Sequence, residues 1–243
     1  RPLVSIDGCC VCSRGNISAI CGEAKSKKTF LTSAIIASAM ALPLRIVDNF
    51  KNVDNNSNLS VLWVDTEQSI LHVRKVTERI HRLAGWNEER NCGMLRTLTL
   101  REVEPKRRAE LLYMAIELYQ PHLVVVDGIS DLMYNTNDIE ESDRIIGQLM
   151  TLSTEYNCHI MCVLHTNPNS DKARGHVGSA LQRKAETVRY VHKVGQRSVV
   201  EPQFCRNEPF DRFAFHIENP IEEGVPVPAE LPSEEQQVPL EVA

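Results

Sequence analysis

The sequence predicts an α/β fold with a mostly parallel central sheet, flanked by helices and closed by C-terminal antiparallel strands. Three observations predict it. Apolar runs of strand length alternate with segments of helical period, the pattern of βαβ units. The run "NISAIC" (16–21) leads without a break into a glycine loop that opens a helix. The segment "HLVVVDG" (122–128) has the consecutive apolar residues of a strand buried on both faces. With 243 residues, 42% of them hydrophobic, the chain has material for one large core, and one folded domain is expected.

Each element follows in order. "NISAIC" is read as the first strand, and "KTFLTSAIIASAMAL" as an uninterrupted helix ending before Pro43. "LSVLWVD" (59–65) is the second strand. In "SILHVRKVTERIHRLAG" the residues Ile70, Val73, Val76, Ile80 and Leu83 share a helical face, and Gly85 suits the helix end. "LRTLTL" (95–100) is a third strand, and Pro105 opens a helix carrying Leu111, Leu112, Ala115 and Leu118. After "HLVVVDG", Asp138 or Asn137 caps "IEESDRIIGQLMTLSTEY", and "CHIMCVLHT" (158–166) is the fifth strand. "NPNSDKARGHVGS" (167–179) reads as a mobile loop. "ALQRKAETVRYVHKV", "SVVEPQFCRN" and "FAFHIEN" predict a short helix and closing strands. Beyond Asn219 the Pro-, Glu- and Gln-rich segment 219–243 has the composition of a disordered acidic tail.

Composition excludes some classes of function. No run of about 18 apolar residues appears and "RPLVSIDG" lacks the pattern of a signal peptide, so a cytoplasmic protein without a membrane partner is expected. The eight cysteines do not form paired C-x-x-C ligand sets, and free thiols are the simpler reading than zinc. A net charge of −5 argues against a surface coated by nucleic acid but leaves room for a local basic channel.

The glycine loop carries the first chemical signal. A Walker A loop reads G-x-x-x-x-G-K-[ST], and Gly22, Glu23, Ala24, Lys25, Ser26, Lys27, Lys28 and Thr29 satisfy it everywhere except Lys27. Between a strand and a helix, backbone N–H groups and the helix dipole surround phosphate oxygens. Lys28 then reaches the β/γ-phosphates and the Thr29 hydroxyl ligates Mg²⁺. A Cβ at Lys27 narrows the loop or strains it if φ is positive, but keeps the backbone N–H. The alternative is a surface helix with ordinary lysines.

Three strand ends complete the pattern. Asp127, closing "LVVVD", stands where Mg²⁺ needs a second acid, the Walker B arrangement. Glu67 in "WVDTEQS" is placed to activate or orient water, with Asp65 as its rival and a helix cap as the alternative. His165 in "VLHTNP" is placed to sense a γ-phosphate, or else is a core histidine. Lys172, Arg174 and His176, in a loop with two glycines, Gly175 and Gly178, suit a moving loop that meets an anion, or are solvated charges.

Together these parts resemble the RecA-like P-loop ATPases, in particular the RepA-type hexameric helicases and related ATPases of bacterial mobile elements. The resemblance runs from about Ile17 to Ile217 and rests on "GEAKSKKTF", "VDTEQS" followed by "ERIHRLAG", "VVVDGISDL", "VLHTNP" and "RGHVGSALQRKAETV…CRNEPF…FAF". In one branch of this group a basic residue replaces the second glycine. The resemblance implies a RecA-like domain over 1–218, ATP and Mg²⁺ as cofactors, and a nucleotide cradle from Gly22 to Phe30. It implies Glu67 as catalytic carboxylate, Asp127 as Walker B acid and His165 as switch. Arg79 is similar in context to an arginine that approaches the nucleotide. An arginine finger acting across a subunit boundary is implied at Arg183 or, alternatively, Arg206. The implied partners are single-stranded DNA, met by Lys172, Arg174 and His176, and further copies of the chain in a hexameric ring.

Overall fold

The computed structural model describes residues 1–40, 50–52, 59–87, 93–167, 172–219 and 224–233. The expected helix end before Pro43, Cys92 and the last ten residues lie outside these. Strand β1 (Pro2–Ile6), β2 (Cys9–Ser13) and β4 (Phe50–Asn52) form a small sheet in the order β2-β1-β4. The first strand of the chain is therefore β1, ahead of "NISAIC". Asp7 and Gly8, at φ 50° and 80°, make the two-residue turn between β1 and β2, with Ile6 opposite Cys9.

The main sheet has nine strands. It contains β3 (Ile17–Gly22), β5 (Val61–Asp65), β6 (Leu95–Thr99), β7 (Leu123–Asp127), β8 (His159–His165), β9 (Thr187–Val194), β10 (Arg197–Cys205), β11 (Phe213–Glu218) and β12 (Val225–Ala229). Their order is β12-β11-β10-β9-β3-β8-β7-β5-β6. Pairing is parallel from β9 through β6, and antiparallel from β9 to β12. This is an α/β fold with C-terminal antiparallel strands, as the alternation of runs predicts. Val225–Ala229 corrects the expectation of a disordered tail from 219, because it pairs with β11.

Helices cover both faces. On one, α1 (Lys28–Met40) and α2 (Ile70–Leu83) join the small sheet over a core that includes Leu31, Ile35, Trp63, Val76 and Ile80. On the other, α3 (Pro105–Tyr119), α4 (Ile139–Glu155) and α5 (Gly175–Lys184) cover Val124, Val126, Ile160 and Cys162. Helix α1 carries apolar or small residues on every side, and it is buried nearly all round. Pro105 stands at the start of α3, and Asp138 caps α4 by accepting from Glu141 N at 2.8 Å. Two positions depart from the expected faces: Ile70 and Leu118 are exposed. The expected loop 167–179 also ends early, since α5 begins at Gly175, and "TVRYVHKV" is strand β9 rather than a continuation of the helix.

Candidate functional site

Parallel register brings the site together. Gly22 pairs with His165, Asp65 with Asp127, and Asp127 with Val163, so the carboxyl ends of β3, β8, β7 and β5 lie side by side. In open α/β sheets ligands bind outside these ends. Here they floor a pocket of about 410 Å³ whose walls include Lys25, Ser26, Lys27, Lys28, Thr29, Phe30, Glu67, Arg79, Asp127 and His165. Gly22 ends β3, and a Cβ there would collide with the Val191 carbonyl and Ser26 Oγ. Glu23 and Ala24 lie in the same loop without lining the pocket.

Lys28 is the hub. Its ammonium donates to the carbonyls of Gly22 at 2.8 Å and Glu23 at 2.7 Å, and lies 3.1 Å from His165 Nδ1. An imidazole that accepts at Nδ1 carries its proton on Nε2, and this atom is 3.6 Å from Glu67 Oε1. Burial pulls the Lys28 ammonium down to about 8. The contact with His165 holds the Glu67 carboxyl below its ordinary range, against the opposing effect of burial.

Asp127 stands on the other side, accepting from the Thr29 hydroxyl at 3.3 Å. Burial, and then the neighbouring carboxylates of Asp65 and Glu67, raise it to about 7. Asp65 is engaged locally: it accepts from the backbone N–H of Glu67 at 3.0 Å and Gln68 at 2.7 Å, and from the Gln68 side chain at 2.7 Å. These bonds close the turn ahead of α2, whose N-cap is Ser69 rather than Asp65 or Thr66; they orient Glu67 and leave it the freer carboxylate.

The residues fit a magnesium nucleotide. A raised, desolvated carboxylate beside a hydroxyl is the environment a divalent cation relieves. In the loop, Ser26 Oγ is buried and has no hydrogen-bond partner, and the glycine at 22 leaves no space for a side chain. Lys27 occupies its glycine position at φ 71° and Lys25 reaches 65°, so the loop adopts left-handed backbone without glycine. The Arg79 guanidinium lies 3.8 Å from the centroid of the Phe30 ring, forming one wall of the pocket.

Other sequence-predicted residues lie elsewhere. Arg183, on α5, is 3.6 Å from Asp143 of α4. Arg206 donates to Lys184 O at 2.9 Å. Neither lines the pocket of its own chain. Lys172 and His176 line a separate cleft, and Arg174 precedes α5 with its backbone N–H on His165 O at 3.0 Å. Sequence reasoning missed Thr66, Gly128 and Asp131. Thr66 Oγ1 donates to Asp131 Oδ2 at 2.9 Å and approaches the carbonyls of Asp127 and Gly128, fixing the backbone just before Glu67. Gly128 has φ 97°, and a Cβ there would strike Thr66 Oγ1 and Glu67 Oε1. The signal available in the sequence was the glycine directly after Asp127.

The fold is RecA-like, and the constellation is a P-loop pocket at the carboxyl ends of its parallel strands. Residues 7–171 match the AAA domain family (AAA_25), more than half of the chain, and the protein belongs to that family. A search of curated proteins finds no match. Among solved structures, a crystal structure of the RadB recombinase is similar, with a TM-score of 0.60 at 17% identity over 90% of this chain and 93% of that one. At that identity the likeness is one of fold. Among the described residues no helix is long and apolar enough to cross a membrane.

Proposed function

We propose that the protein is a Mg²⁺-dependent ATPase that couples hydrolysis to binding, unwinding or remodelling of single-stranded DNA, as a homo-oligomer of the RepA helicase type, in replication or mobilisation of a mobile element. The observation that carries the reading is the contact chain Lys28–His165–Glu67 facing the Thr29–Asp127 pair across one pocket. A module that only binds nucleotide has no use for a carboxylate poised for water beside the phosphate lysine.

In this reading the loop Gly22–Phe30 binds the phosphates, and Lys28 exchanges its loop carbonyls for phosphate oxygens. Thr29 and Asp127 hold Mg²⁺, which neutralises charge on the phosphates. Glu67, oriented by Asp65 and Thr66, takes up a proton from the attacking water. His165 is displaced from Lys28 or Glu67 according to what the pocket holds, and its carbonyl is tied to Arg174, so the segment bearing Lys172, Arg174 and His176 follows. Arg79 flanks the nucleotide. Arg183 or Arg206 acts on the pocket of a neighbouring copy in a cytoplasmic hexameric ring. The likeness to a structure described as a recombinase supports a DNA-linked role.

A second reading is a non-hydrolysing accessory module, favoured by a lysine held at φ 71° where the loop calls for glycine. Steady-state ATP turnover with and without single-stranded DNA separates the two. Mg²⁺-dependent turnover that rises with DNA is expected, and nucleotide binding without turnover selects the accessory module.

A further inference from the structure

A second cleft, of about 510 Å³, lies between the start of α5, the bridge pairing Thr166 with Ala173, and the far end of β10. Its walls are mostly polar side chains, and Phe204 is the one aromatic among them. Phe204, a residue 48% exposed, stands among Asn137, Lys172, His176, Gln182 and Gln203. A single exposed apolar side chain needs no explanation by itself, but the backbone aims this one. Where β10 pairs with β9 the register shifts between Pro202 and Phe204. A bulge of this kind redirects side chains, and both Gln203 and Phe204 face the cleft.

The chemistry of these walls is specific in combination. An aromatic face stacks any base, a lysine meets a phosphate, and side-chain amides offer donors and acceptors to a base edge. None of the three alone selects a ligand, but an unpaired nucleotide can use all of them within one cleft.

The cleft is also wired to the nucleotide pocket. Asn167 N donates to Lys172 O at 3.0 Å and Arg174 N to His165 O at 3.0 Å, so the backbone of this wall is tied to the last residue of β8. The ring of that residue touches Lys28 Nζ at 3.1 Å.

We propose that this cleft holds one unpaired base of a single strand, stacked on Phe204, with its phosphate at Lys172. The inference rests on the strand-binding reading above and deepens it: Phe204 adds a base contact to a backbone contact. It is tested with the full chain by fluorescence anisotropy, using an oligothymidylate and an abasic strand of the same length. For Phe204→Ala, thymidylate affinity is expected to fall about 5- to 100-fold, the range of one lost stack, with abasic affinity unchanged. Phe204→Tyr keeps a ring and is expected to keep the parent's preference for thymidylate. Lys172→Ala is expected to weaken both strands alike and to flatten their salt dependence.

If Phe204→Ala binds thymidylate as tightly as the parent, the base site is wrong while the strand reading stands. Equal loss on both strands makes Phe204 a packing residue of the cleft and likewise overturns the base site. A parent that binds neither strand overturns both, and leaves the ring to a protein partner.

Discussion

At both ends of the nine-stranded sheet a histidine stands beside a carboxylate and a cation. At the carboxyl end they are His165, Glu67 and Lys28. At the amino end they are His159, Glu186 and Arg189, joined by Ser18. His159 Nε2 is 2.8 Å from Ser18 Oγ and 3.5 Å through Nδ1 from Glu186, a row that resembles an activated serine. These four residues are 0–4% exposed. Glu186 accepts from Ser13 N at 2.7 Å and Ser13 Oγ at 2.6 Å, while Arg189 donates to Val11 O and Ser18 Oγ, each at 2.9 Å. Their hydrogen bonds therefore fasten β2 to the core, and no substrate reaches them. At the other end the same residue types open onto a pocket, with Glu67 and His165 46% and 40% exposed at their side chains. Access and uncommitted hydrogen-bonding capacity separate a site from a clamp; residue type does not.

Mutations at the two ends should consequently read out differently. Lys28→Ala is expected to weaken binding of a fluorescent ATP analogue about 10- to 100-fold or more, the loss of a charge-assisted contact, without lowering folding stability. Burial already disfavours that ammonium. Comparable affinity in the variant would break the comparison at its functional end.

Arg189→Leu should do the reverse. It strands the buried Val11 carbonyl and removes one of the two partners of the Ser18 hydroxyl, and about 2–5 kcal/mol of unfolding free energy is expected to vanish in urea titrations, with nucleotide affinity preserved. An unchanged unfolding midpoint would remove the clamp from the account.

The pH dependence sharpens the contrast because the shifts have opposite sign. Burial lowers His159 to about 4, so its stability contribution is present above pH 6.5 and lost as pH falls through about 4. Asp127 is raised to about 7, so its contribution is present below pH 3.8 and lost as pH rises through about 7. Each group bends the stability profile by at most about 1.4 kcal/mol per pH unit. Compared with the parent, His159→Gln should remove the acid-side loss and Asp127→Asn the loss near neutrality, both read from urea unfolding across pH. Parallel profiles for parent and variants would contradict the assignment.

The smallest effect is expected at Lys27. Lys27→Gly relieves left-handed backbone at φ 71° but adds freedom to the unfolded chain, and stability should change by about 1 kcal/mol or less with ATP binding retained. A large loss of affinity would instead make the Lys27 side chain a phosphate contact.

Legibility in the sequence followed burial. The strands ending at Gly22, Asp65, Asp127 and His165 were readable because parallel strands covered on both faces are continuous apolar runs. The hairpin of β1 and β2 was missed although Asp7-Gly8 is a strong turn signal. Strand β12 was missed because Pro226 and Pro228 suggest disorder, yet proline is tolerated at every second position of an edge strand, where the missing N–H faces outward. Glu67, Asp127 and His165 were readable as strand-end polar residues after apolar runs. Thr66 and Asp131 were not, because only the pairing of β5 with β7 brings them together. The proposed arginine finger would act on a neighbouring copy, and spacing within one chain does not decide between Arg183 and Arg206.

The most direct test compares the parent with Glu67→Gln, measuring ATP affinity and ATP turnover on the same preparations. The substitution preserves size and hydrogen-bonding shape. Retained affinity with turnover slower by a factor of about 10² to 10⁴ is the expected result, the range for loss of a general base. Turnover equal to the parent's would contradict the account, since the carboxylate held beside His165 would then have no part in hydrolysis.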